Sequence, residues 1–172
     1  MSAVSIYALH LAQYICTMKL AKNFFFLLVT CSLCVVSCTT VDLYEKNVTL
    51  PHFKWNSSFK PEFTFLIKDT MVRYQLFLVL RHNEKYNYNN VWINLYSQPP
   101  GDTTHKAAYE LPLANSEGWL ATGMDDIYEH RLELTKPIQL KAGTYHFKVE
   151  QIMREDPLEN VMSVGLRVEK KQ

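Results

Sequence analysis

No cysteine follows Cys38: all four, Cys16, Cys31, Cys34 and Cys38, lie in the first quarter of the 172-residue chain. The part from Thr39 to Gln172 therefore has no disulfide and no thiolate metal site. An excess of one charge is missing as well. Taking the amino-terminal Lys19 and Lys22 from 18 basic residues leaves 16 against 17 acidic ones. That balance gives no electrostatic case for nucleic acid or for an anionic membrane surface. There is no Gly-x-Ser-x-Gly, no Walker loop and no dinucleotide fingerprint, so neither an enzyme class nor a cofactor is indicated. The six histidines are scattered, and none has a spacing that suggests metal ligation. No repeat, low-complexity run or Pro/Gly linker divides the chain.

What is present begins with a targeting segment. Lys19 and Lys22 form a basic region, and Phe24 through Val36 is an apolar stretch of signal-peptide length, too short to span a bilayer comfortably. It ends in Val35-Val36-Ser37-Cys38, the pattern of a lipoprotein signal. There a small residue precedes a thiol that is free to form a thioether with a diacylglyceryl group. Residues 18–37 are thus expected to be removed, with Cys38 the lipidated first residue of the mature protein. At about 0.8 kcal/mol per buried methylene, two or three acyl chains, palmitate among them, anchor such a protein durably. Residues 1–17 add no positive charge and only lengthen the apolar run, which makes Met18 the expected initiator and the first 17 residues a mis-assigned start.

Residues 38–47 read as a polar tether and 48–172 as one domain. Apolar residues near half and charges near a fifth are ordinary globular composition. Period-two alternation dominates. Phe59, Pro61, Phe63, Phe65 and Ile67 share one face of a strand. Tyr74 to Leu80 is apolar on both faces, as in a central strand, and Arg81 to Asn90 reads as a loop rich in Asn and Tyr. Val91 to Ser97 alternates again, and Gln98-Pro99-Pro100-Gly101-Asp102 turns the chain into a partner strand over Thr104 to Leu111. Tyr128 to Leu134 is read as a strand, although Ile127, Arg131 and Leu134 also fit a helical turn. Lys141-Ala142-Gly143 turns into Thr144 to Met153, and Val161 to Glu169 closes the domain. About eight strands with turns at this spacing predict an all-β, antiparallel β-sandwich, possibly a jelly roll.

Few residues carry chemistry. Asp125-Asp126 and Glu129 form the one acidic cluster, and adjacent acids in a loop are usually only solvated. Trp55, Trp92 and Trp119 with ten tyrosines are many aromatics, and a sandwich displaying such rings is one way to hold a glycan. Trp92 and Tyr96 share one strand face and are expected in the core. Asp69-Thr70-Met71 and Asp102-Thr103-Thr104 fit the acid-hydroxyl-apolar acceptor pattern of bacteroidete O-glycosylation.

Two segments carry a resemblance. Leu80-Arg81-His82-Asn83 through Tyr86-Asn87-Tyr88-Asn89-Asn90-Val91-Trp92 is one. Ala142-Gly143-Thr144-Tyr145 through Glu150-Gln151-Ile152-Met153-Arg154-Glu155-Asp156-Pro157-Leu158, ending in Val164-Gly165-Leu166-Arg167-Val168-Glu169, is the other. In order and combination, from Cys38 to Glu169, the chain resembles the gliding-motility lipoprotein family GldH. The resemblance implies an outer-membrane lipoprotein associated with the gliding machinery and, through it, with type IX secretion. It implies envelope-protein partners and no enzymatic activity, and it brings no ligand residues. In this setting Gly143 is expected to permit a tight turn, and Gly165 close sheet packing or a bulge. Arg81, Arg154 and Arg167 are expected to pair with Glu150, Asp156 or Glu169. The residues after Cys38, Thr39-Thr40-Val41-Asp42-Leu43, lack the acid-rich run of lipoproteins sent to the cell exterior, which favours the periplasmic face of the outer membrane. A lipid-anchored glycan-binding module using Trp55, Trp92 or Trp119 is the alternative function.

Overall fold

A computed structural model describes residues 43–171. The expected signal peptide, the expected start at Met18 and the expected lipid-bearing Cys38 lie outside the described residues. Eight strands of six residues or more carry the architecture: β1 (Leu43–Thr49), β3 (Glu62–Ile67), β4 (Arg73–Asn83), β5 (Asn90–Gln98), β6 (His105–Pro112), β10 (Ile127–Glu133), β12 (Gly143–Gln151) and β14 (Val161–Lys171). Shorter pieces fill the connections. These are β2 (Lys54–Trp55), β7 (Ala114–Asn115), β8 (Gly118–Trp119), β9 (Thr122–Met124), β11 (Ile138–Gln139) and β13 (Leu158–Glu159).

The eight long strands pair first with last, second with seventh, third with sixth and fourth with fifth: β1 with β14, β3 with β12, β4 with β10, β5 with β6. This is one long antiparallel hairpin rolled up. β14 then joins β4, and β12 joins β5, giving sheet orders β1-β14-β4-β10-β9 and β3-β12-β5-β6. The fold is a jelly-roll β-sandwich.

Alternation explains which face each strand buries. On β3, Phe63, Phe65 and Ile67 point inward between exposed Glu62, Thr64 and Leu66. Phe65 stacks on Phe147 and Tyr145 of β12 at centroid distances of 5.2 and 5.5 Å. β4 is apolar on both faces because it lies between β14 and β10, with Leu76, Leu78 and Leu80 in the core. Val79, on its other face, faces Gly165 and Arg131 in register. A Cβ built on Gly165 would overlap Asn47 Oδ1 and lie 2.8 Å from the Lys46 carbonyl, so this glycine serves close packing between β14 and β1. The register shift of β14 is elsewhere, between Val161 and Ser163.

Three expectations change. The ladder begins at Leu43, so residues 43–47 belong to the sandwich and not to a tether. These residues look polar because β1 is an edge strand whose Glu45 reaches Arg167 across the outer face. β4 runs on to Asn83, because Arg81 faces out and His82 in, leaving only a short loop before β5. Phe59 is exposed and precedes the strand, which starts at Glu62 after buried Pro61.

Antiparallel register sorts the loops into two ends. β1 starts, β14 finishes and the β3–β4 and β10–β12 connections lie at one end, here called proximal. At the distal end lie the β4–β5, β12–β13 and β13–β14 connections and the β9–β10 hairpin; the Asn83 N–H donates to the Asn160 carbonyl of the β13–β14 turn and the Glu84 N–H to the Asp126 carbonyl of the β9–β10 hairpin.

Candidate functional site

The two stretches that carry the family resemblance meet at the distal end. Trp92 stands in the outer row of β5, two residues after Asn90, and the Ile152 N–H donates to its carbonyl at 2.9 Å. Its own N–H donates to Met153 Sδ at 3.2 Å. Tyr88, Trp92, Ile152, Met153 and Arg154 line a depression of about 470 Å³. Trp92 and Ile152 are each 40% exposed, large values for side chains of this size. Arg154 is exposed and has no ion-pair partner among the described residues. Glu155 beside Tyr88 holds the phenol above its ordinary pKa.

This patch is held rigidly from beneath. Gln151 is fully buried; its carbonyl oxygen accepts the Met153 N–H at 2.8 Å, and its amide nitrogen donates to the Trp55 carbonyl at 3.3 Å and to Asp156 at 3.2 Å. Asp156 also accepts from the Ser57 N–H and hydroxyl, contacts that hold its carboxyl below the usual carboxylate range. Farther along the same sheet face, Glu150 accepts from Lys60 at 2.8 Å, Tyr96 at 2.6 Å and Asn94 at 2.9 Å. The Lys60 ammonium first, then the Tyr96 hydroxyl, hold its carboxyl down at about 2. All three of its neighbours are committed to it, so Glu150 is a structural anion and no poised base.

His82 and His130, 48 positions apart in the chain, form a second cluster. His82 and His130 are fully buried, with their Nε2 atoms 2.9 Å apart. His82 Nδ1 lies 2.7 Å from the Asn83 carbonyl and so carries the proton there. His82 Nε2 must then accept, and His130 Nε2–H donates to it. His130 Nδ1 is left with no hydrogen-bond partner of normal geometry, the Leu120 carbonyl only weakly favouring a proton there. Burial pushes both imidazoles down, His130 to about 4, where the neighbouring His82 adds to the effect. The pair is neutral at pH 7. Trp119 packs edge-on to His82 at 4.5 Å, with Tyr86 and Tyr128 at 4.9 and 5.6 Å. The legible signal was parity: His82 continues the inward row Leu76, Leu78, Leu80.

Sequence-chosen residues fare unevenly. Trp55 is fully buried and its indole N–H donates to the Phe59 carbonyl at 3.0 Å, so it presents no ring to a ligand. Trp119 is occupied with the histidines. Trp92 stands on the outer face with Asn94 and Tyr96, not in the core as expected; the inward residues of β5 are Val91, Ile93 and Leu95. The three tryptophans therefore form no shared platform. Asp125 and Asp126 sit exposed at the β9–β10 turn, Asp125 with a positive φ of 56°. Arg167 pairs with Glu169 as expected and also with Glu45. Arg81 instead meets Glu129, while Glu150 takes Lys60, and Asp156 takes Ser57 and Gln151. Both Asp-Thr tripeptides lie in proximal loops. Gly143 has a φ of +131°, and a Cβ there would lie 2.6 Å from Pro100 Cβ, in keeping with the expected tight turn.

Comparison with known proteins completes the picture. Residues 42–168 match the family described as GldH lipoprotein. The gliding motility lipoprotein GldH of Flavobacterium johnsoniae is 30% identical over 125 residues, covering 68% of this chain and 78% of that protein. A GldH homolog of Christiangramia forsetii is 26% identical over 144 residues, covering 78% and 87%. Among solved structures, a carbohydrate-binding module specific for non-crystalline cellulose superposes with a TM-score of 0.42 at 12% identity, covering 74% of this chain and 73% of that one. The match across most of the chain settles the matter of kinship: this protein belongs to the GldH lipoprotein family, and is a membrane-anchored lipoprotein of the cell envelope.

Proposed function

We propose that this lipoprotein is a non-enzymatic docking component of the gliding-motility and type IX secretion machinery. It is held by acyl chains on Cys38 at the periplasmic face of the outer membrane, and it binds other envelope proteins through the distal patch. The observation that carries this reading is the patch itself. Trp92 and Ile152 expose apolar surface beside an unpaired guanidinium, on a loop that buried Gln151 fixes in place. Exposed aromatic and Arg side chains on a rigid base are what protein interfaces use as anchors.

The test is a photo-crosslinking residue at position 152 in living cells, with Trp92→Glu and Arg154→Glu as separate variants in a deletion strain. Loss of a central tryptophan anchor costs about 2 kcal/mol or more, roughly a 30-fold weaker complex. Crosslinks, secretion and surface motility are expected to fall at unchanged protein abundance, while Asp125→Asn and Asp126→Asn leave all three intact. Full complementation by Trp92→Glu with undiminished crosslinking would refute this use of the patch.

A further inference from the structure

The proximal end of the sandwich has its own unexplained surface. Across the sheet rim lie Leu43, then Glu169, Lys170 and Lys171 of β14, then Arg73 and Tyr74 of β4, then Ile138 and Gln139 of β11. Beyond that rim Met71 projects from the β3–β4 loop, 88% exposed, with Ile138 also exposed. The Met71 loop is not slack. The Met71 N–H donates to Asp69 Oδ1 at 3.0 Å, the Tyr74 hydroxyl donates to the Asp69 carbonyl at 2.7 Å, and Gln139 Nε2 donates to the Thr70 carbonyl at 2.9 Å.

Charges at this end are unequal although the whole chain is nearly neutral. Among the described residues at this end Asp69 is paired with Lys170, Glu133 with Lys136 and Glu169 with Lys171, while Asp102 has only the His105 ring, 3.5 Å away. Lys68, Arg73 and Lys141 are exposed and have no such partner among the described residues. A fixed apolar tip ringed by surplus cations is the composition that seats a protein on anionic lipid headgroups.

Chain length brings that surface to the bilayer. Only four residues, Thr39 to Asp42, separate Cys38 from Leu43. Even fully extended, the five steps between those two Cα atoms reach about 18 Å. The rim from which β1 starts therefore cannot leave the neighbourhood of the lipid.

We infer that the proximal end is a membrane-seating surface: Met71 and Ile138 enter the headgroup layer of an anionic phospholipid leaflet, and Lys68, Arg73 and Lys141 engage its phosphates. The inference rests on the Cys38 anchor proposed above.

Two exposed methionines at opposite ends provide the test, Met71 proximal and Met124, 80% exposed, distal. No cysteine follows Cys38, whose sulfur is taken by lipid, so Met71→Cys and Met124→Cys each give one labelling site. The processed, lipidated protein is purified, labelled with an environment-sensitive fluorophore, and reconstituted into phosphatidylethanolamine and phosphatidylglycerol vesicles bearing headgroup spin labels. The Met71 label is expected to shift to the blue and to be quenched several-fold more than the Met124 label. Changing Lys68, Arg73 and Lys141 together to Glu is expected to remove most of that difference. Flotation of the unlabelled wild type beside Cys38→Ala reads the anchor separately. If Cys38→Ala floats as well as wild type, the anchor reading fails. If wild type floats normally but the two labels are quenched alike, the anchor stands and the seating surface is overturned.

Discussion

Acid should destabilise this domain through one buried pair. His130 is neutral in the folded protein, its folded pKa held at about 4 by burial and by His82, against 6.5 in an open chain. A histidine with a depressed folded pKa binds its proton more readily when unfolded. Its stabilising contribution is complete above pH 6.5 and is lost as pH falls toward 4. The full difference is about 3 kcal/mol, and about 2 kcal/mol of it is already gone at about pH 5. His82, pushed down by the same burial, acts in the same direction. Glu150, held at about 2, loses its contribution only between about pH 4.5 and 2, below this window. Urea unfolding of the processed protein, followed by the emission of Trp119 and the other tryptophans at pH near 7.5 and near 5, reads the effect directly. His130→Leu removes the titration at the cost of an isolated His82 Nε2, so its stability is lower at neutral pH, but its dependence on pH shrinks. A wild-type loss under about 0.5 kcal/mol between those conditions would refute the neutral-pair assignment. So would an undiminished pH dependence in His130→Leu.

Two further outcomes follow from the backbone and from the loop beneath the patch. Gly143→Ala combines a left-handed backbone with a Cβ 2.6 Å from Pro100, whereas Gly101→Ala meets nothing within 4 Å at φ +73°. Chemical denaturation should show a loss of about 2–5 kcal/mol for the first and about 1–2 kcal/mol for the second, and equal losses would show that the Pro100 contact is absent. Gln151→Leu strands the Met153 N–H and releases Asp156, at a cost of about 1–3 kcal/mol. Amide exchange should rise at residues 152–156 more than in β4, and uniform exchange would place the effect elsewhere.

What could be read from the chain and what could not divide along the range of the interactions. Phe63, Phe65 and Ile67 announce a buried face because period two is written in neighbouring residues. The central position of β4 shows for the same reason, its apolar run being continuous. Which face of β5 turns inward is not local. Trp92 and Tyr96 share one face by alternation, but their exposure is set by cross-strand neighbours, Glu110 opposite Trp92 and Lys106 and Lys148 opposite Tyr96. Those charged partners become visible only with the register. β1 looked like a tether because an edge strand satisfies its polar side chains on Arg167, a residue 122 positions away from Glu45. The histidine pair has no signature along the sequence, because the pairing of β10 with β4 alone supplies the proximity. Arg154 finds no carboxylate because Lys60 holds Glu150, Ser57 and Gln151 hold Asp156, and Arg167 and Lys171 hold Glu169, pairings that only the folded register brings about.

The proposed anchor and the proposed partner surface are separated by the same antiparallel register that makes the fold. Since β1 starts where β14 ends, the chain enters the domain at the proximal rim. β4 then rises from Arg73 to Asn83, ten steps at about 3.3 Å, or roughly 33 Å. Trp92 follows on the returning strand, two residues past the start of β5, so the patch lies near the far end of that rise. With the rim seated on lipid, the patch stands roughly 30 Å off the bilayer, and a partner can reach it without displacing the seating surface. The two stretches that mark the family both run through the distal loops, whereas the surplus cations lie outside those stretches, Lys68 after β3, Arg73 at the start of β4 and Lys141 immediately before the second stretch. Partner binding and membrane seating therefore draw on different residues. Damage at Trp92 should leave the Met71 signal unchanged, and charge reversal at the rim should leave crosslinking at Ile152 intact.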